Sequence, residues 1–64
     1  MTTKTAAQLE VGDIVTEVWG TVLSQPVTIT SVEISPTYGG GVVRHDRGGF
    51  WPVRKNDSRP IVVA

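Results

Sequence analysis

Apolar residues along this chain alternate with polar ones in short runs, and no segment past the first few positions keeps helical spacing over about eleven residues. Ile14 to Trp19 reads as a first strand, rich in β-branched and aromatic residues. Gly20 breaks it. Thr21 to Pro26 reads as a loop, because Pro26 has no donor for a ladder and belongs at a strand start or edge. Val27 to Ile34 is the clearest strand, and its alternation changes phase. Val27 and Ile29 share one face, whereas Val32 and Ile34 share the other. A slip of one residue near Thr30-Ser31 predicts a β-bulge or a sharp coil, as in long bent strands that serve two sheets of a small barrel.

Ser35 to Gly41 reads as a flexible connection. Val42 to His45 is a third strand, and Asp46-Arg47-Gly48-Gly49 predicts a tight hairpin turn. Phe50 to Arg54 returns as the fourth strand, with Pro52 pointing to an edge or a bend. Lys55 to Pro60 is polar and turn-like, and Ile61 to Ala64 closes the chain as a fifth strand. The expected core is Leu9, Val11, Val15, Val18, Val27, Ile29, Val32, Ile34, Val43, Phe50, Val53, Ile61 and Val63. Short strands joined by Gly/Pro turns predict an all-β fold, a small five-stranded, partly open barrel.

Length sharpens this picture. Sixty-four residues make one domain. Residues 1–8, rich in Thr and Ala, are expected to be a flexible N-terminal segment, and 9–64 a single barrel domain. A chain this short buries only about 60% of its extended surface, which leaves oligomerisation as the remaining stabiliser. There is no Cys and a single His, so no disulfide, thiolate site or recognisable metal-ligand spacing exists. No cofactor and no small-molecule substrate are expected, since a barrel of this size has no room for an internal ligand. No leader and no bilayer-length apolar run is visible, so a cytoplasmic protein without membrane contact is expected.

Several local signals go together: Leu9-Glu10-Val11-Gly12-Asp13 before the first strand, the strand Val27-Thr28-Ile29-Thr30-Ser31-Val32-Glu33, the Gly48-Gly49 hairpin, and a polar turn before the last strand. On these residues the chain resembles small SH3-like barrel proteins of the phage and actinobacterial accessory type. The resemblance covers about residues 9–64 and implies function on the surface of the barrel. The acidic-aromatic loop of peptide-binding SH3 domains is missing, which argues against polyproline recognition.

The total charge is zero, but its distribution is not even. Residues 1–38 carry a net of −3 and residues 39–64 a net of +3. Arg44, Arg47, Arg54, Lys55 and Arg59 therefore leave room for one basic face. A hairpin turn at Arg47-Gly48, or a longer variant, would make Arg44 and Arg54 cross-strand neighbours, a mildly destabilising contact that an anionic partner would relieve. Trp19 and Trp51 are expected to face outward, as anchors of a protein interface. His45 stands alone, no Ser sits in a nucleophile turn and no carboxylates pair, so no enzyme is expected.

Two readings of function follow. In the first, a non-enzymatic interaction protein docks to a larger protein through Trp19 and Trp51, with Arg44, Arg47 and Arg54 steering. In the second, a nucleic-acid-binding module uses Tyr38, Arg44, Arg47, Trp51, Arg54, Lys55 and Arg59. Self-association as a structural subunit is the third possibility.

Overall fold

A computed structural model of the chain describes residues 2–35 and 37–64. Met1, in the segment expected to be flexible, and Pro36, in the expected flexible connection, lie outside the described residues. The strands are β1 (Thr2–Lys4), β2 (Ile14–Val18), β3 (Thr21–Ser35), β4 (Gly40–His45), β5 (Phe50–Arg54) and β6 (Ile61–Val63). They form one open antiparallel sheet in the order β1-β6-β2-β3-β4-β5. The all-β class agrees with the alternation in the sequence, but the described residues hold six strands rather than five. The added strand is β1, where a flexible segment was expected. It pairs with β6 through Thr2↔Val63, Thr3↔Val62 and Lys4↔Ile61. A 3-10 turn, Ala6–Gln8, follows and presses Ala6 into the core at 1% exposure.

Strand β3 is twice the expected length. Its first pair, Val18↔Thr21, is closed by Trp19 and Gly20. Their φ angles of +52° and +82° are the left-handed pair that a two-residue hairpin turn requires. The strand runs on through the segment expected to be a loop. Register jumps there from Glu17↔Val22 to Val15↔Val27, so Leu23 to Pro26 bow out opposite Thr16. Pro26 sits among these unpaired positions, where no ladder bond is asked of its nitrogen. The second irregularity falls where the phase change predicted it. Register moves from Ile29↔His45 to Ser31↔Arg44, leaving Thr30 as the extra residue of a bulge.

The hairpin of β4 and β5 turns through Asp46, Arg47 and Gly48. The Gly48 N–H donates to His45 O at 3.3 Å and the His45 N–H donates to Gly49 O at 3.2 Å. Gly48, at φ +80°, takes the left-handed position that ends a three-residue hairpin loop. Ladder bonds alternate from His45↔Gly49 onward, which aims the Pro52 nitrogen away from β4 at the open edge of the sheet. Gly41 has a different reason to be glycine. A Cβ there would lie 1.7 Å from Glu33 O on β3.

The core is Ala6, Leu9, Val15, Val18, Val27, Ile29, Val43, Val53, Ile61 and Val63. Four expected members differ. Val32 and Ile34 are only partly buried, packed against this cluster. Val11 is 68% exposed, because it rides the outside of the Glu10–Asp13 turn. Phe50 is 58% exposed. In a regular strand Phe50 and Val53, three positions apart, cannot share a face, and Val53 holds the inner one. Among the described residues no helix is long and apolar enough to cross a membrane.

Candidate functional site

Burial of Val43 and Val53 sets the inward phase of the β4–β5 hairpin. Trp51 pairs with Val43 and shares the inward phase of Val53. The outward phase then carries three cross-strand pairs, Arg44↔Phe50, Val42↔Pro52 and Gly40↔Arg54. Strand β3 adds Ser31 beside Arg44, Glu33 beside Val42 and Ser35 beside Gly40. The Arg44 guanidinium carbon lies 6.0 Å from the centroid of the Phe50 ring, at the outer limit of a cation–π contact. The turn through Asp46, Arg47 and Gly48 does not make Arg44 and Arg54 cross-strand neighbours. They sit at opposite ends of the face, about 13 Å apart along the strand direction.

The two ends of this face are held by backbone bonds. At the tip, Asp46 Oδ1 accepts the Thr28 N–H at 3.1 Å, which ties the turn to β3. His45 Nδ1 accepts the Arg47 N–H at 3.2 Å, and the imidazole packs on Trp51 with ring centroids 5.0 Å apart. His45 is thereby committed to turn geometry. At the base, the Lys55 N–H donates to Gly39 O at 2.8 Å, so the loop carrying Tyr38 lies beside Arg54 and Lys55. Tyr38 is 90% exposed.

The electrostatic consequence is one-sided. Asp46 spends its carboxylate on a backbone N–H, and Asp57 spends its own on Arg59. Arg44, Arg47, Arg54 and Lys55 are all exposed, and among the described residues none of them makes an ion pair. Glu10, Glu17 and Glu33, the acids available to neutralise a solvated basic face, make none either. Glu33 is the single acid on the outer face itself, in the row of Val42 and Pro52.

Trp19 and Trp51 do not form an outward pair. Both are half-buried and packed against the core. Trp19 follows β2 in the β2–β3 hairpin turn, where a bulky residue at positive φ is strained. Its N–H donates to Pro60 O at 2.9 Å, but its indole Nε1 is buried with no hydrogen-bond partner among the described residues. The Arg59 guanidinium covers the ring, 3.6 Å from the centroid. Asp57 fixes that guanidinium from the side, accepting Arg59 Nε–H at 2.9 Å. The contacts with Arg59 hold the Asp57 carboxyl well below the usual carboxylate range, and the same pair raises Arg59 above its ordinary value. Arg59 thus serves as a lid on Trp19 and, unlike the cations of the hairpin, is ion-paired. An Asp two positions before an Arg in a polar turn was the available sequence signal for this pair.

The remaining ion pair is structural. Asp13 Oδ2 accepts the Glu10 N–H at 2.9 Å and Lys4 Nζ at 2.9 Å, joining β1 to the entry of β2. The Glu10 hydrogen bond, then Lys4, lowers the Asp13 pKa. Among the described residues no three His, Asp or Glu side chains come together to hold a metal ion. Comparison with protein-family models, curated proteins and solved structures finds no match.

The structure therefore brings Arg44, Arg47, Arg54, Lys55 and Tyr38 to one hairpin and the loop beside it. Trp51 lies on the same hairpin but in its inward phase, Trp19 lies in the β2–β3 turn, and Arg59 packs on Trp19. Phe50, expected in the core, is instead the exposed aromatic directly opposite Arg44.

Proposed function

We propose that this chain is a small non-enzymatic module that binds single-stranded nucleic acid across the outer face of β4 and β5. The observation that carries the reading is the set of four exposed cations without ion pairs, Arg44, Arg47, Arg54 and Lys55, flanking the exposed ring of Phe50. Phosphates need clustered guanidinium and ammonium groups, and unpaired bases stack on exposed aromatic faces. Phe50 and Tyr38 supply two such faces. A duplex offers no unstacked base to them.

Within this reading the fold is an SH3-like barrel. The order β6-β2-β3-β4-β5, with the long β3 shared by both halves of the sheet, supports it, and β1 is an added edge strand. Docking to a protein through Trp19 and Trp51 loses its premise, since both rings pack on the core. Pairing of a partner strand along β5 is disfavoured as well, because Pro52 removes the central donor of that edge.

Fluorescence anisotropy with a labelled single strand and its duplex, at about 50 mM salt, tests the proposal. Micromolar binding that favours the single strand and disappears in Arg44→Glu and Arg54→Glu is expected. Failure of the native protein to bind, or binding undiminished in both variants, would overturn it. In the first case a protein partner or a second copy becomes the reading to pursue.

A further inference from the structure

The turn between β5 and β6 holds a feature that the hairpin face does not use. Arg54, Asn56, Asp57, Ser58 and Arg59 line a cavity of about 440 Å³. That is room for a phosphate group with several waters at about 30 Å³ each. The lining residues carry two guanidinium groups, an amide, a hydroxyl and one carboxylate between them.

The carboxylate is turned inward. Asp57 is 4% exposed at its side chain, and both oxygens are engaged by Arg59. Oδ1 accepts the Arg59 backbone N–H at 3.0 Å and Nε–H at 2.9 Å, and Oδ2 accepts Nη2. Its charge is spent on a neighbour that is itself pinned against Trp19. Arg59 has five N–H donors, of which this geometry claims those of Nε and one of Nη2. The rest are unclaimed, on a side chain already ordered by the indole beneath it and the carboxylate beside it. Little rotamer freedom remains to be lost on binding. Arg54 brings a second guanidinium without an ion pair, and the exposed Asn56 and Ser58 bring further donors.

We propose that this pocket binds a phosphate monoester dianion, between the guanidinium groups of Arg54 and Arg59, with Asn56 and Ser58 donating to the remaining oxygens. Two guanidiniums against one buried, committed carboxylate leave a positive site suited to a doubly charged group. The chemistry is shared by the terminal phosphate of a nucleic-acid strand and by a small free phosphate. Arg54 belongs both to this pocket and to the hairpin face, so a terminal phosphate held here would sit at one end of a strand lying on β4 and β5.

Two measurements on the whole chain separate the sources. In the first, inorganic phosphate is titrated while amide shifts are followed, against chloride at matched ionic strength. In the second, strand affinities are compared with and without a terminal phosphate. Saturable shifts at Asn56, Ser58 and Arg59 with phosphate alone are expected, together with a gain of about tenfold from the terminal phosphate, the worth of one charge-assisted hydrogen bond. Asn56→Asp puts a carboxylate at the pocket without touching the Asp57–Arg59–Trp19 stack, and should abolish both effects while the spectrum stays folded. Ser58→Ala should weaken both. Saturation by phosphate without a gain on the strand assigns the pocket to a small phosphate. Strand binding that ignores the terminal phosphate, with phosphate shifts no larger than those of chloride, overturns the site and leaves the hairpin proposal standing. Loss of all strand binding with phosphate saturation intact overturns the hairpin proposal instead.

Discussion

If the four cations of the β4–β5 hairpin contact phosphates, salt must weaken binding by an amount that the structure sets. Each phosphate neutralised on a single strand contributes about −0.7 to the slope of log K against log salt. Arg44, Arg47, Arg54 and Lys55 make no ion pair among the described residues, so no internal partner has to be displaced first. Four contacts give a slope of about −2.8, which is a loss of about 50-fold between 50 and 200 mM salt. Arg44→Ala should weaken binding and reduce the slope to about −2.1, a loss of about 20-fold over the same range. Lys4 is paired with Asp13 at the opposite edge of the sheet, so Lys4→Gln should leave the slope unchanged. The assay is anisotropy across a salt series for the native chain and the two variants. A native slope shallower than about −1, or equal changes from Lys4 and Arg44, would refute the assignment of phosphate contacts to this face.

Further outcomes follow from the same geometry. Phe50→Ala should cost binding about 1–3 kcal/mol, the worth of one stacked base, and leave the melting temperature nearly unchanged because the ring is outside the core. Glu33 is the acid on the outer face, so Glu33→Gln should tighten strand binding, most visibly at low salt. Gly41→Ala drives a Cβ into the Glu33 carbonyl. It should cost at least about 1–3 kcal/mol in urea denaturation, a large share of the roughly 3–5 kcal/mol that so small a core supplies. Asp13 and Asp57 have folded pKa values below their ordinary value of 3.8. Their contribution to stability is therefore full above about pH 5 and is lost as pH falls toward the folded values. Thermal melts across that acid range should show the decline, and Asp13→Asn should remove part of it.

Much of the sheet was legible because burial dictates phase. The change of face between Ile29 and Val32 located the bulge at Thr30, and Pro52 located an edge strand. Other elements hid behind residues with two uses. Gly20 and Pro26 read as breakers of a loop, yet Gly20 completes a hairpin turn and Pro26 sits where β3 leaves the ladder. Strand β1 carries Thr and Lys in a polar segment, and only its pairing with β6 gives it a place. Phe50 and Val53 were both expected inside, although a regular strand turns only one of them inward, and Val53 is the buried one. That choice moved the candidate site. With Trp51 facing the core and Phe50 facing water, the basic hairpin changed from the rim of a tryptophan patch into a cationic face with an exposed aromatic opposite Arg44. The stack of Arg59 on Trp19 was not legible, because it joins two turns forty residues apart in sequence.

The most direct measurement is amide shift mapping with a short single strand added to the labelled chain. The largest shifts should fall on Arg44, Arg47, Phe50, Arg54 and Lys55, with Tyr38 beside them, while β1, β2 and β6 stay unmoved. Shifts centred on β1, β2 or β6, or no shifts in the presence of excess strand at low salt, would contradict a nucleic-acid face on the β4–β5 hairpin.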